Sequence, residues 1–313
     1  LDAAKLHELW VVTNDNCNLR CRHCYTIERV KQGRTGIPGA ALLGILGEAH
    51  ELGTEVFYFT GGEPTLRHDF LELARFVLER GKLILFSNGL TIDDALAEQL
   101  APWRERLVVQ VSIEGPDETV NTPVRGRGSY TRAMAGVRTL LRHGIRVGVS
   151  TTPTGVSKEA IADITAQLAA LEEGGQRVDY HHLIMLLDRG GAHDHADIGA
   201  LGEDDLHGIL ARSKAALGRA RAIDRAVKLK LTNQKIFAAL ATNGPAKDFC
   251  GAGYTILGVS ADGKLLPCAA CMDDERYFLG DLLTDDHRYV PGRLRDLWQT
   301  SAAVERIRRF SLA

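Results

Sequence analysis

No apolar run in this chain approaches the ~18 residues that a membrane span needs, and no cleavable signal opens it. A soluble, cytoplasmic protein with no membrane partner is the expectation. Surplus charge is missing too: 38 Lys and Arg stand against 40 Asp and Glu, a formal net charge of −2. Nothing in that balance favours a grip on nucleic acid or on an anionic surface. There is no low-complexity segment, and no Ser/His/Asp arrangement or Gly-rich phosphate loop stands out. What remains is an ordinary globular composition, 45% hydrophobic and 25% charged, over 313 residues. That length holds one large domain with a small appendage, or two ordinary domains, and buries its core without staples.

Cysteine is scarce as well, but its placement is informative. The six residues fall as Cys17, Cys21 and Cys24, then, after a long interval, Cys250, Cys268 and Cys271. Two triplets do not look like the paired spread of a secreted disulfide framework. They read as metal or cluster ligands in a reducing compartment. Cys17-x3-Cys21-x2-Cys24 can offer one thiolate to each of three irons of a [4Fe–4S] cubane, leaving the fourth iron open to a ligand. A structural zinc site is the alternative. Zinc would want a fourth ligand, and His23 sits awkwardly between two of the cysteines.

From residue 6 to about 187, short β-rich runs alternate with longer helical patterns. Strands are expected over 8–14, 55–60, 83–86, 107–113, 145–150 and 178–186, and helices over 40–52, 69–80, 93–100, 130–143 and 158–172. Gly53, Gly81 and Gly144 stand where a left-handed residue closes a helix. Six β/α repeats imply parallel strands joined by right-handed crossovers, in a partial barrel or a doubly wound sheet. In either, chemistry collects at the carboxyl ends of the strands. The Gly-rich stretch 190–202 interrupts the pattern, followed by helices near 203–221 and 234–241. Short strands over 254–260 and 264–266 then flank the Asp262-Gly263 turn, and a last helix runs over 293–310.

Cys17-x3-Cys21-x2-Cys24-Tyr25 after the first strand, with Thr60-Gly61-Gly62-Glu63-Pro64 after the second, resembles the radical S-adenosylmethionine (SAM) enzymes. The resemblance covers nearly the whole chain. It implies an α/β fold, a partial (β/α)6 TIM-type barrel with a small C-terminal Fe–S-binding β-hairpin and helix extension. Residues 1–202 would form the barrel, 203–248 a helical connector and 249–313 the auxiliary-cluster region. By the same resemblance, SAM chelates the open iron of a cluster held by Cys17, Cys21 and Cys24. Reduction, by a partner such as flavodoxin or ferredoxin, then gives methionine and a 5′-deoxyadenosyl radical that abstracts a substrate hydrogen. Gly61 and Gly62 would let backbone approach the methionyl amino group where a Cβ would intrude, and Glu63 would pair with the ammonium. Thr60 belongs to the same turn, and Tyr25 would help form the adenine side. Ser87 and Asn88 would supply a polar strand end, Ser112 the ribose contact, Arg125 the partner of the SAM carboxylate and Leu187 a surface near adenine. Strand alternation turns Tyr58 the same way as Thr60. Tyr58, Glu114 and His182 are the catalytic candidates.

Gly263-Lys-Leu-Leu-Pro-Cys268 resembles the opening of the C-terminal SPASM and twitch extensions, which hold auxiliary iron–sulfur clusters. A hairpin would bring Cys250 beside Cys268, and with Cys271 these would ligate one such cluster, of [4Fe–4S] type; a zinc-stapled hairpin is the alternative. The full SPASM pattern needs further downstream cysteines, which are not found before Ala313. Either the native protein continues or this is a single-cluster version, with Asp273, Asp274 or a missing residue as fourth ligand. Resemblance to peptide maturases and anaerobic sulfatase-maturating enzymes implies an oxidoreductase acting on a peptide or protein side chain. A small-molecule or tetrapyrrole substrate is the alternative, favoured if 190–202 closes a deep pocket. A non-catalytic iron–sulfur or zinc scaffold is the third reading. With both triplets engaged as ligands, Tyr58 is the remaining hydrogen donor for an epimerisation.

Overall fold

The computed structural model describes residues 5–187, 189–199, 201–221, 228–231, 252–253, 255–272, 274–302 and 304–305. In chain order the strands and principal helices begin with β1 (Glu8–Val12), α1 (Ile27–Gln32), α2 (Gly39–Glu51), β2 (Val56–Thr60), α3 (Phe70–Leu78) and β3 (Lys82–Ser87). There follow α4 (Asp94–Leu100), β4 (Leu107–Ser112), α5 (Glu118–Arg125), α6 (Ser129–Arg142), β5 (Arg146–Thr151), α7 (Ile161–Ala170), β6 (Tyr180–Leu183) and α8 (Glu203–Arg221). The C-terminal part holds β7 (Lys228–Leu231), β8 (Ile256–Val259), β9 (Lys264–Leu266), β10 (Gly280–Asp281) and α9 (Arg293–Thr300). The expected helix over 234–241 lies outside the described residues. Among the described residues no helix is long and apolar enough to cross a membrane.

The chain divides into two compact units. The first takes Leu1–Asn18, Arg29–Phe86 and Phe249–Ala313; the second takes Leu19–Glu28 and Ser87–Asp248. In the first, the strands lie in the order β10-β9-β8-β1-β2-β3. β8, β1, β2 and β3 run parallel, whereas β9 and β10 return antiparallel. The period of two is plain in the burial. Leu9, Val11, Phe57, Phe59, Leu83 and Leu85 are shut away on one face. Trp10, Tyr58 and Phe86, on the other face, stay half-buried and form an aromatic row, with Trp10 and Tyr58 stacked at 4.1 Å and 5°. Helix α9 begins on the carboxylate of Glu48 from α2, which accepts from the backbone N–H of Gly292 at 3.0 Å and of Arg295 at 2.8 Å, and from the Tyr289 hydroxyl. An anion there meets the positive end of the helix.

In the second unit β4, β5, β6 and β7 are consecutive neighbours, all parallel. Val109, Val111, Val147 and Val149 are fully buried on one face. His181 shares that face, bonded to Thr165 Oγ1 on α7 at 2.9 Å and to Thr151 Oγ1 at 2.8 Å. Burial lowers its pKa to about 3, so the ring is neutral. The opposite face carries Gln110, Ser112, Ser150, Tyr180 and His182, brought into register by the β4–β5 and β5–β6 pairings. Gly148 makes this face possible, because a Cβ there would lie 2.2 Å from the Tyr180 ring.

Several boundaries differ from expectation for local reasons. Gly53 and Gly144 are left-handed, but Gly81 is not; a Cβ at Gly81 would meet the Glu55 carbonyl oxygen at 2.7 Å. α7 starts only after a 3-10 turn over Lys158–Ala160 and stops at Ala170. Glu172–Glu173 then pairs with Gln176–Arg177 around Gly174 and Gly175, whose φ values of 58° and 74° suit a tight hairpin. The stretch after 190 folds into one-turn helices, Gly191–Asp194 and Ala196–Ile198. α9 ends at Thr300, where Ser301 turns extended.

Candidate active site

β1 is followed by Thr13-Asn14-Asp15-Asn16, which leads into Cys17. The turn after β2 packs against that segment through backbone. Gly62 N–H donates to the Asn14 carbonyl at 2.8 Å and Glu63 N–H to the Asn16 carbonyl at 2.7 Å. A Cβ on Gly61 would stand 2.4 Å from Asn14 O, and one on Gly62 2.2 Å from Asn16 O. The two glycines therefore have a packing duty, apart from any close approach of a ligand. Glu63 is fully buried, and its Oε1 accepts from the Thr65 hydroxyl at 2.7 Å and from Thr65 N–H at 3.3 Å. Arg67, which sequence reasoning passed over, braces the same region. It donates to the carbonyls of Thr13 at 2.6 Å, Thr35 at 3.0 Å and Ile37 at 3.0 Å, and pairs with Asp69. Thr60 shares the face of Tyr58, which lies in the aromatic row.

Within the second unit the structure brings Glu114, Arg125 and His23 together. Glu114 is 1% exposed; its Oε1 takes Arg125 Nε at 2.9 Å and its Oε2 takes Thr152 N–H at 2.6 Å. His23 Nε2 is 3.4 Å from the same carboxylate, and burial holds this histidine near a pKa of about 4, hence neutral. Tyr25 lies beneath the Arg189 guanidinium, 5.1 Å from its ring centre. Ser112 and Ser150 hydroxyls are 3.3 Å apart. His182 Nδ1 is 3.3 Å from Gln110 Oε1, which also accepts from the Tyr180 hydroxyl at 3.1 Å. Burial pushes the Tyr180 phenol up to about 12, so it remains a donor. Gln110 itself is 2% exposed, and its Nε2 has no hydrogen-bond partner among the described residues. Sequence reasoning missed Gln110, although a lone amide in Leu-Val-Val-Gln-Val-Ser, two before Ser112, was the available signal. Ser87 and Asn88 each accept from a backbone N–H two residues on, at 3.0 and 2.9 Å, shaping their own turn. Leu187 is 39% exposed.

In the C-terminal part, Cys268 and Cys271 sit on the turn after β9. Cys268 Sγ accepts from Ala270 N–H at 3.3 Å and Cys271 N–H donates to the Cys268 carbonyl at 3.0 Å. A Cβ at Gly258 on β8 would lie 2.8 Å from the Cys268–Ala269 peptide, so glycine lets that turn settle on the sheet. Asp274 caps the following turn and pairs with Arg276. Cys250 and Asp273 lie outside the described residues.

The signature described as the Radical SAM superfamily matches residues 11–168, half of the chain. The chain belongs to the radical SAM superfamily. Among curated relatives, Mycofactocin maturase MftC of Mycolicibacterium smegmatis is 27% identical over 302 residues, 93% of this chain and 70% of that protein. Fe-coproporphyrin III synthase of Methanosarcina barkeri is 32% identical over 179 residues, 56% of this chain and only 43% of that protein. Among solved structures, Streptococcus suis SuiB bound to S-adenosylmethionine superposes with a TM-score of 0.78 at 19% identity, covering 98% of this chain and 68% of that one. The expected α/β, partial-barrel fold class stands on that likeness.

Membership makes this a SAM-dependent enzyme of the [4Fe–4S] radical SAM type. The donor set Cys17, Cys21 and Cys24 suits the cluster, three thiols for three irons. Cys17, Cys21 and Cys24 are half-buried thiols spaced along one loop. Among the described residues no three Cys, His, Asp or Glu side chains converge on a single metal ion.

Proposed function

We propose that this radical SAM enzyme abstracts hydrogen from a peptide or protein side chain, and that an auxiliary iron–sulfur cluster on the C-terminal hairpin assists the oxidation. The observation that carries the reading is the MftC similarity, which extends over 93% of this chain and so includes the hairpin that bears Cys268 and Cys271. When bound, SAM and its cluster supply the hydrogen-abstracting radical. Cys17, Cys21 and Cys24 hold the irons in this reading, and the turn Thr60–Glu63 shapes the side that receives the methionyl group. Ser112 and Arg125 meet the sugar and carboxylate of SAM; Tyr25 and Leu187 flank its adenine, near Ser87 and Asn88. Tyr58 and His182 face substrate. Cys250, Cys268 and Cys271 hold the auxiliary cluster, and a flavodoxin- or ferredoxin-type reductase delivers electrons in the cytoplasm. We retain residues 1–202 as the barrel, 203–248 as the connector and 249–313 as the auxiliary-cluster region.

A tetrapyrrole substrate is the second reading, favoured by the 32% identity to Fe-coproporphyrin III synthase and by AdoMet-dependent heme synthase of Methanosarcina barkeri, 24% identical over 310 residues. The first test is 5′-deoxyadenosine formation from SAM and dithionite by the anaerobically reconstituted protein, against Cys17/Cys21/Cys24→Ala. Product from the parent and none from the variant is expected. Absence of product from cluster-loaded parent would sink the reading. Stimulation by a precursor peptide supports the peptide substrate, whereas stimulation by an iron coproporphyrin alone transfers the proposal to the tetrapyrrole.

A further inference from the structure

The residues between the second and third cysteines are both anchored in the second unit. Arg22 N–H donates to the Val124 carbonyl at 2.9 Å and its guanidinium to the Pro123 carbonyl at 3.2 Å. Those are last-turn carbonyls of α5, which lack partners within the helix. His23 turns the other way, onto Glu114 at 3.4 Å. Beyond Cys24, Gly191 N–H donates to the Cys24 carbonyl at 2.9 Å. Only glycine fits there, since a Cβ at Gly191 would stand 2.4 Å from the Arg22 carbonyl oxygen. Thus the cysteine loop is held by α5 and by Gly191, and His23 packs beside Glu114.

Both carboxylate oxygens of Glu114 are engaged, by Arg125 and by Thr152 N–H. Its own N–H region is fixed as well, donating to Asn121 Oδ1 at 2.7 Å, while Asn121 donates to Ser129 at 2.7 Å. A carboxylate so buried and so occupied is not built to exchange a proton with substrate. It is built to hold. Contact through Nε fixes the plane of the Arg125 guanidinium, and with it the direction of the Nη edge that meets a carboxylate. We propose that Glu114 is a positioning residue: one buried carboxylate sets the Arg125 guanidinium for the SAM carboxylate, beside the loop that carries Cys21 and Cys24. This rests on the reading of Arg125 as a SAM ligand and of the cysteines as cluster ligands.

The test uses the fully reconstituted protein under anaerobic conditions. SAM affinity is measured by equilibrium dialysis, and the reduced cluster is examined by EPR with and without SAM, in Glu114→Gln, Glu114→Asp and Arg125→Lys. Glu114→Gln is expected to weaken SAM binding about tenfold, in line with partners that orient a ligand rather than touch the bound group. It should also blunt the EPR change caused by SAM. Arg125→Lys should weaken binding similarly, and the double variant should be no worse than either single one. If Glu114→Gln does not fold, Glu114→Asp carries the test, because it keeps the charge but cannot reach Arg125 and Thr152 together; the same loss is expected. A purely structural role would lower thermal stability and leave SAM affinity and the EPR response at parental values. Parental affinity in the Glu114 variants with weakened binding in Arg125→Lys overturns the inference and leaves the SAM reading intact. Parental affinity in all of them overturns both.

Discussion

Substituting Gly62 by Ala isolates the contact that seats the first cysteine. The added Cβ would lie 2.2 Å from Asn16 O, 2.6 Å from Asn16 C and 2.9 Å from Asp15 C, all backbone. Ordinary contact begins at 3.4 Å, so one of two hydrogen-bonded turns must retreat by about 1.2 Å. Gly62 is not among the positive-φ glycines, so alanine meets no backbone penalty there and the whole cost is steric. Overpacking against atoms that cannot rotate away belongs at the upper end of the usual range, about 3 kcal/mol. For a chain of 313 residues that is a fall of roughly 4–5 °C in Tm. Gly33→Ala is the control: φ is 65° and nothing lies within 4 Å, so only left-handed strain of about 1–2 kcal/mol applies. Thermal unfolding of both variants, with iron and sulfide content after reconstitution, separates the two costs. Gly62→Ala should be the less stable and should also retain less iron, since Asn16 precedes Cys17. A Gly62→Ala protein as stable as Gly33→Ala, with full iron, would refute the packing argument.

His181 gives a pH-dependent prediction. Its folded pKa is about 3, held down by burial and then by the neighbouring His182, while an unfolded histidine titrates near 6.5. Above pH 6.5 neither state binds the proton. Below it only the unfolded state does, so stability falls as the pH drops, by roughly 2 kcal/mol at pH 5. Urea midpoints at pH 7 and pH 5 should diverge more in the parent than in His181→Gln, and equal divergence would dismiss the assignment. Glu48→Ala removes the acceptor for two backbone N–H groups and the Tyr289 hydroxyl at the start of α9. Hydrogen exchange should accelerate over 289–300, with a local loss of about 2–3 kcal/mol, while β1 to β3 keep their protection. Uniform acceleration across the first unit, or none, would contradict that account.

Much of the fold was legible because its signals are local. Alternation in Val-Phe-Tyr-Phe-Thr and Leu-Val-Val-Gln-Val-Ser located β2 and β4 to within a residue or two, and the hairpin turn Asp262-Gly263 was readable from its dipeptide. What escaped was short or depended on distant partners. α5 carries Pro123 near its end, and its start is marked only by Asp117 accepting from Val120 N–H at 3.1 Å. β7 alternates Lys and Leu over four residues, too short a run to separate from a helix end. In the site, the cysteines and the Gly-Gly-Glu-Pro turn announce themselves by spacing. The obstacle that demands Gly62 is the Asn16 carbonyl, 46 positions earlier by residue number, and no local pattern records it. Glu114 was visible as a carboxylate at a strand end, but its partners come from three other segments, so its role required the folded chain.

The parallel pairing of β1 with β8 sets a timetable for synthesis. Leu9 and Trp10 find their neighbours on one side at Phe57 and Tyr58, but on the other only at Leu257 and Gly258. At 5–20 residues per second, roughly 10–40 s separate the emergence of Phe57 from that of Leu257. For that interval the opening strand has a raw edge of unpaired N–H and C=O groups. A nascent chain paused before residue 256 is thus the form most exposed to wrong pairing, and the hairpin that bears Cys268 is also the piece that ends the exposure.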